Sequence, residues 1–109
     1  MDGVGYIYIL ESSSSVHIKK IGYTRRHPDI RLKEWQISCP SMEFRLRSWF
    51  KCTHVKETER LTHWILATRK LRTHTCADCK RRHRELFVLP ETNDTGLTVA
   101  LLANLSLLN

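Results

Sequence analysis

Two short runs of β-forming residues, separated by a serine-rich segment, open the chain. The first run alternates tyrosine or leucine with isoleucine, which is the period-two pattern of a strand. Because both of its faces are apolar, we predict a strand inside a small sheet that is covered on both sides. In the second run the missing Cβ of a glycine lets another group approach the backbone closely. The two runs read Gly5-Tyr6-Ile7-Tyr8-Ile9-Leu10 and Lys19-Lys20-Ile21-Gly22-Tyr23-Thr24.

The segment between the runs, residues 11–15, is Glu11 followed by four serines. Such a polar stretch has nothing to bury, so we predict a turn that joins the two strands into a hairpin.

The rest of the chain predicts two helices and two further strands. Pro28 and Asp29 suit the first turn of a helix, and the apolar residues from Met42 to Leu46 alternate with polar ones, as in a strand. We therefore predict an α/β (α+β) domain with a small mixed or antiparallel sheet of three to four strands flanked by helices. The predicted elements after the hairpin are a helix over residues 28–35, a strand over 42–50, a helix over 55–71 and a strand over 85–89.

The longest predicted helix carries an apolar stripe at helical spacing, which we expect to face the core. Helical geometry places Glu57 on the stripe, and Glu59 and His63 on roughly the opposite side. The stripe consists of Leu61, Trp64, Ile65, Thr68 and Leu71.

A chain of 109 residues allows one folded domain, which we place at residues 1–90. Residues 91–109 are predicted to form a polar linker and an apolar C-terminal segment that could contact a protein partner. The formal charge of +7, with 41% hydrophobic residues, indicates a folded basic domain whose leading partner class is nucleic acid. The residues predicted to contact it are Arg25, Arg26, Lys80, Arg81 and Arg82.

The four cysteines are expected to be reduced, because the chain opens without a signal peptide and contains no membrane-spanning run. We accordingly expect an intracellular protein of the nucleus or cytoplasm that is neither secreted nor membrane-bound. Cys76, Cys79 and His83 have the spacing of a partial zinc site. The fourth ligand is left open among His74, Cys52 and Cys39.

Four motifs in order resemble the GIY-YIG nuclease superfamily. They are Tyr6-Ile7-Tyr8, Lys20-Ile21-Gly22, Arg31, and Glu59 with His63 four residues later. The closer resemblance is to the branch of bacteriophage-type DNA-binding domains that is also found in fungal meiotically up-regulated proteins. It extends over residues 5–89, and the last strand resembles the E-W-F strand that closes this branch.

The resemblance implies roles for these residues in phosphodiester hydrolysis. Tyr8 would activate or orient water, Arg31 would hold the scissile phosphate, and Glu59 would bind Mg²⁺ with His63 assisting. For the metal ligand, the motif favours Glu59 whereas helical geometry favours Glu57, so both stay candidates.

The second motif departs from the family, because Lys20 stands where the family has a tyrosine. Lys20 could stabilise phosphate charge or lower the pKa of a nearby phenol, and Tyr23 could substitute for the missing tyrosine. The resemblance therefore implies a DNA-binding domain of GIY-YIG type, with Mg²⁺ as its cofactor if the domain is an endonuclease. The alternatives are a non-catalytic DNA-binding module of a larger protein and a zinc-stabilised protein-interaction domain.

Overall fold

The computed structural model of the chain describes residues 3–13, 17–71, 76–80 and 85–89. Short 3₁₀ turns follow the two helices at Pro40–Met42 and Ala67–Arg69. The predicted α+β class is confirmed, with a four-stranded sheet and two helices. The elements in chain order are β1 (Gly5–Ser12), β2 (Ile18–Thr24), α1 (Pro28–Ser38), β3 (Phe44–Cys52), α2 (Val55–Ile65) and β4 (Leu86–Val88).

The four strands form one antiparallel sheet in the order β3-β1-β2-β4. β1 is central, and it pairs with β2 on one side and with β3 along its whole length on the other. The register shifts where Ile9 pairs with Ser48 but Leu10 pairs with Leu46, so Arg47 is the extra residue of a bulge in β3.

β4 is only three residues long and pairs with the first part of β2, from Ile18 to Lys20. Residues 21–24 of β2 therefore extend beyond β4. The N–H of Ile21 still donates to the carbonyl oxygen of Glu85 at 3.0 Å, but among the described residues no strand pairs with the outer edge of residues 22–24. This uncovered edge of β2 lies where the two helices and the start of β4 approach one another.

Both faces of β1 are buried, as its two apolar faces predicted. Ile7 and Ile9 belong to an apolar cluster with Val55 of α2, and Leu66 packs against that cluster. On the other face Tyr8 and Leu10 belong to a second cluster, against which Leu32 and Trp35 of α1 pack. Each face of the sheet is thus covered by one helix.

The predicted turn over residues 11–15 is wrong for its first two residues, because Glu11 and Ser12 extend β1 and are buried. The register places Glu11 opposite Lys19 of β2 and Arg45 of β3. Lys19 Nζ lies 3.0 Å and Arg45 Nη2 2.6 Å from the Glu11 carboxylate oxygens. A carboxylate paired from both neighbouring strands can be buried, and local sequence does not reveal such cross-strand partners.

The predicted core stripe is also wrong for its residues within α2, although Leu71, which lies beyond the end of the helix, packs against the second apolar cluster. Leu61, Trp64 and Ile65 are exposed, and Trp64 keeps 76% of its accessible surface. The buried side of the helix carries Thr58 and Thr62 instead. Their hydroxyls donate to carbonyl oxygens one turn earlier in the chain, at 2.8 and 2.7 Å. Because these hydroxyls are satisfied within the helix, threonines can face the sheet at little cost.

The remaining boundaries differ from the predictions by a few residues. α1 continues to Ser38, and α2 ends at Ile65, six residues earlier than predicted. None of the described helices combines the length and apolarity that crossing a bilayer requires. The predicted C-terminal segment over residues 91–109 lies outside the described residues.

Candidate functional site

Seven residues from five parts of the fold converge beside the uncovered edge of β2, and we call them the edge cluster. β1 contributes one residue, β2 and α1 two each, α2 one, and the segment before β4 one. Contacts, ion pairs or mutual electrostatic effects join every member to another member. The edge cluster consists of Tyr8, Lys20, Gly22, Arg31, Trp35, Glu59 and Glu85.

Gly22 makes the space in which two functional groups meet. It pairs with Tyr8 across the β1–β2 ladder. A Cβ at this position would lie 2.6 Å from Tyr8 Oη and 2.7 Å from Glu85 Oε2, so that these groups would have to shift to make room for it. The close approach that the sequence predicted at Gly22 therefore occurs, with a phenol and a carboxylate as the approaching groups.

Tyr8 is almost fully buried, and its hydroxyl accepts a hydrogen bond of 3.2 Å from Trp35 Nε1. Burial raises the pKa of Tyr8 to about 12, and the Glu85 carboxylate acts in the same direction. The phenol therefore keeps its proton at neutral pH. Since Trp35 Nε1–H already donates to the oxygen, the phenolic proton can be offered to another acceptor.

Lys20 is buried among the same groups, with 1% of its side chain exposed. Its Nζ lies 3.4 Å from Glu85 Oε2 and 3.8 Å from the centroid of the Trp35 ring. Burial lowers the pKa of Lys20, although the Glu85 carboxylate acts against this shift. The position at which the sequence departs from the family motif thus holds an ammonium group paired with a carboxylate.

Glu59 faces the edge cluster from α2. One of its oxygens accepts the backbone N–H of Tyr23, whereas Oε2 is buried without a hydrogen-bond partner among the described residues. The ion-paired Glu85 Oε2 also lacks a hydrogen bond within that part of the chain. Burial raises the pKa of Glu59 from 4.5 to about 7, and the Glu85 charge adds to the shift.

Glu57, the alternative to Glu59, points away from the edge cluster. It is exposed, and both of its carboxylate oxygens lie 2.8 Å from Arg60 Nη2. The helical argument that favoured Glu57 fails for the same reason as the core stripe, because the buried side of α2 is the one with the threonines.

Arg31 lies at the rim of the edge cluster, with 32% of its side chain exposed. Its guanidinium stacks over Trp35 at 4.4 Å, and Nη1 lies 3.2 Å from Glu34 Oε1. The arginine is therefore held in place while part of it faces solvent, where an anion could reach it.

Two of the predicted site residues stand beside the edge cluster. His63 Nε2 lies 2.8 Å from the carbonyl oxygen of Ile21, and burial lowers the pKa of His63, so the neutral ring donates to the edge of β2. Tyr23 is three positions from Lys20 in the same strand, and neighbouring residues of a strand alternate between faces. The ring of Tyr23 packs against the apolar cluster beneath α2 and cannot replace the Lys20 side chain.

An exposed aromatic surface adjoins the edge cluster. Trp49 of β3 pairs with Tyr8 in the ladder, keeps 43% of its accessible surface, and packs edge-on against Tyr6 and His27 at 5.5 and 5.4 Å. Sequence alternation predicted which residues share a face only in the first half of β3, because the bulge at Arg47 reverses the alternation in the second half.

Three of the five residues predicted to contact nucleic acid are among the described residues. Arg25 and Arg26 are exposed just before α1, and Arg26 pairs with Glu34 through two bonds of 2.7 and 3.1 Å. Lys80 is exposed as well, whereas Arg81 and Arg82 lie outside the described residues.

Three cysteines form a separate group on the α1 side of the sheet. The Sγ atoms of Cys39, Cys76 and Cys79 all lie within 4.8 Å of one another. Of the alternatives for a further ligand, Cys39 joins the pair, but Cys52 belongs to the apolar cluster on the other face. His74 and His83 lie outside the described residues. Three thiols at this spacing are compatible with a zinc site.

Sequence reasoning did not single out Glu85 or Trp35 as functional residues. The only local signal for Glu85 was an acidic residue directly before an apolar strand, and Trp35 read as apolar surface of α1. Both join the edge cluster through contacts with residues far away in the chain.

The family model of the T5orf172 domain matches residues 5–99. No curated protein matches the chain, and no solved structure does. The matched range includes the edge cluster and the three grouped cysteines.

Proposed function

The chain belongs to the T5orf172 domain family, and from this membership and the edge cluster we propose a DNA-binding domain of GIY-YIG type that hydrolyses phosphodiester bonds with the help of Mg²⁺. One observation carries the proposal. Tyr8, Arg31 and Glu59, to which the family resemblance gives roles in one reaction, come from three elements. Arg31 and Trp35 interact with Tyr8, and Glu85 influences both Tyr8 and Glu59.

Arg31 would bind the scissile phosphate. Its guanidinium is half-buried against Trp35, so its orientation is restricted, and its exposed part faces the solvent from which DNA would approach. A fixed positive charge at this point would stabilise the charge that develops on the phosphate in the transition state.

Tyr8 would orient the attacking water. Its pKa of about 12 excludes a phenolate base at neutral pH, but the protonated hydroxyl can hold a water by donating to its oxygen. Glu85 reaches the same space above Gly22, and its carboxylate can accept the proton that the water loses. Lys20 beside Glu85 would keep that carboxylate ionised until the proton arrives.

The residues present fit a divalent cation. Glu59 Oε2 is a buried carboxylate oxygen without a hydrogen-bond partner among the described residues, and Mg²⁺ prefers oxygen ligands of this kind. Glu59 would therefore hold the ion, with the negative charge of Glu85 nearby. When bound, Mg²⁺ supplies positive charge against the phosphate and the leaving oxygen.

The surface around the edge cluster supports DNA as the substrate. The aromatic surface of Tyr6, His27 and Trp49 adjoins Tyr8, and rings of this kind stack on bases. Arg25 and Arg26 stand exposed at the start of α1, where they can contact phosphates independently of sequence.

The test is nicking of supercoiled plasmid with and without added Mg²⁺. Arg31→Ala, Glu59→Gln and Tyr8→Phe should each lower the nicking rate at least about 100-fold while duplex binding, followed by fluorescence anisotropy, changes little. Glu57→Gln is the matched control on the same helix and should nick like the wild type. Cleavage by Glu59→Gln at the wild-type rate would refute the assignment of the site.

A second candidate function is a DNA-binding module without catalysis. The observation that favours it is the buried Lys20–Glu85 ion pair, because an ammonium with 1% of its surface exposed cannot itself contact a phosphate. Duplex binding by the wild type without any nicking in Mg²⁺ or Mn²⁺ would establish this candidate in place of the nuclease.

A further inference from the structure

Three thiols meet where the end of α1 approaches the segment that precedes β4. Cys39 follows α1 directly, and Cys76 and Cys79 belong to the described residues 76–80. Cys39 and Cys76 are almost completely buried. This site is separate from the edge cluster, and the inference drawn from it does not depend on nuclease activity.

The spacing of the sulfurs is that of a metal site. Cys39 Sγ and Cys79 Sγ lie 3.7 Å apart, far beyond the length of a disulfide bond. Two sulfurs bound to one tetrahedral zinc, each at about 2.3 Å, are about 3.8 Å apart. The protein thus already holds these two thiols at the separation that a shared zinc ion requires.

The backbone around Cys76 is arranged for a thiolate. The N–H groups of Asp78 and Cys79 both donate to Cys76 Sγ, and the N–H of Lys80 donates to the carbonyl oxygen of Cys76 at 3.0 Å. Lys80 takes a left-handed conformation with φ of 61°, which non-glycine residues adopt uncommonly. This tight turn places Cys76 and Cys79 on the same side and directs backbone dipoles at a sulfur that would carry negative charge.

A second contact joins the same two segments. Asp78 Oδ2 accepts hydrogen bonds from the backbone N–H and the hydroxyl of Ser41, at 2.8 and 2.5 Å. Ser41 is two residues after Cys39, so the two sides of the thiol group are held together from outside it. The sulfurs are therefore already in position for a ligand that binds between them.

We propose that Cys39, Cys76 and Cys79 bind a structural Zn²⁺ ion that ties the end of α1 to the segment leading into β4. Three soft thiolate ligands select zinc over magnesium or calcium, which prefer oxygen. α1 carries Arg31 and Trp35, and Glu85 lies directly before β4. The ion therefore connects the two parts of the chain that supply one side of the edge cluster.

The first measurement is the metal content of the full chain, purified in reducing buffer without chelator, by inductively coupled plasma mass spectrometry. We expect close to one zinc per chain. Cys39→Ser, Cys76→Ser and Cys79→Ser should each lower the zinc content at least about tenfold, because each removes a thiolate ligand. Cys52→Ser is the matched control, since Cys52 is equally buried but lies on the other face of the sheet, and it should keep its zinc.

A second measurement uses the wild type alone, so that an unfolded variant does not decide the outcome. Replacement of zinc by Co²⁺ should give sulfur-to-cobalt charge-transfer bands whose intensity corresponds to at least three thiolates. Zinc-free wild type with no such bands would overturn the proposal. So would a Cys39–Cys79 disulfide found by mass spectrometry, or equal zinc loss in the Cys52→Ser control.

Discussion

Replacement of Lys20 by methionine keeps most of the side-chain volume but removes the charge that faces Glu85. Removing one partner of a fully buried ion pair costs about 3–5 kcal/mol, because the other charge stays buried without compensation. Glu85 keeps 29% of its side chain exposed, so water can compensate part of the loss. We therefore expect Lys20→Met to lower the free energy of unfolding by about 2–3 kcal/mol, somewhat below that range.

The matching change, Glu85→Gln, leaves the ammonium of Lys20 buried without its counter-charge. Its cost should be similar, and a further fall in the pKa of Lys20 would limit it. In the double variant neither charge is present, so the two costs should not add. We expect a coupling energy of about 2 kcal/mol between the two positions.

Urea denaturation at pH 7.0 and constant salt measures the free energy of unfolding of the wild type, the two single variants and the double variant. The four values can be compared if the dependence of this free energy on urea concentration is the same in all of them. The control cycle is Glu57→Gln with Arg60→Met, an exposed pair on α2 whose coupling should stay below about 0.5 kcal/mol. If the losses in the free energy of unfolding at Lys20 and Glu85 add in the double variant, the two side chains do not act as a pair. In that case the argument that Lys20 keeps Glu85 ionised is wrong.

Gly22→Ala should destabilise the fold by about 1–3 kcal/mol and abolish nicking, because the new methyl group overlaps the hydroxyl and carboxylate above it. Its φ is not positive, so an alanine with wild-type melting and nicking would contradict the packing argument. The pKa of Glu59 is raised to about 7 in the folded state, against 4.5 for an ordinary glutamate. Between these two pH values the folded protein therefore keeps a proton on Glu59 that the unfolded chain has lost. Without Mg²⁺, the urea midpoint should therefore fall as pH rises from about 4.5 to about 7, and Glu59→Gln should flatten this dependence. Charge reversal at Arg25 and Arg26 should lower duplex affinity about tenfold or more at low salt for unrelated sequences, whereas Lys56→Glu on α2 should not.

The hairpin and the sheet could be predicted because alternation in β1 and β3 is a local property. The buried face of α2 could not, because apolar periodicity selects Leu61, Trp64 and Ile65. The helix instead packs through threonines whose hydroxyls bond to its own backbone. The motif resemblance favoured Glu59, which faces the edge cluster, since a motif records the tertiary contact that periodicity does not.

The content of the edge cluster could be predicted only in part. Tyr8, Arg31 and Glu59 were named by motif, but the partners that determine their chemistry were not. The burial of Lys20 depends on Trp35 and on Glu85, which comes 65 positions later in the numbering. Such a contact is decided by the pairing of β4 with β2, and no local pattern in the sequence encodes it.

The backbone amide of Tyr23 has an unusual position, at the outer margin of a sheet, with a side-chain carboxylate in place of a neighbouring strand. An amide held in this way is shielded from hydrogen exchange only as long as the carboxylate stays where it is. A cation held by Oε2 would compete for the negative charge of the carboxylate, so the other oxygen would hold the Tyr23 amide more weakly and the amide would exchange faster. Deuterium uptake at the Tyr23 amide would therefore show whether a cation occupies the proposed site, without a probe attached to protein or DNA.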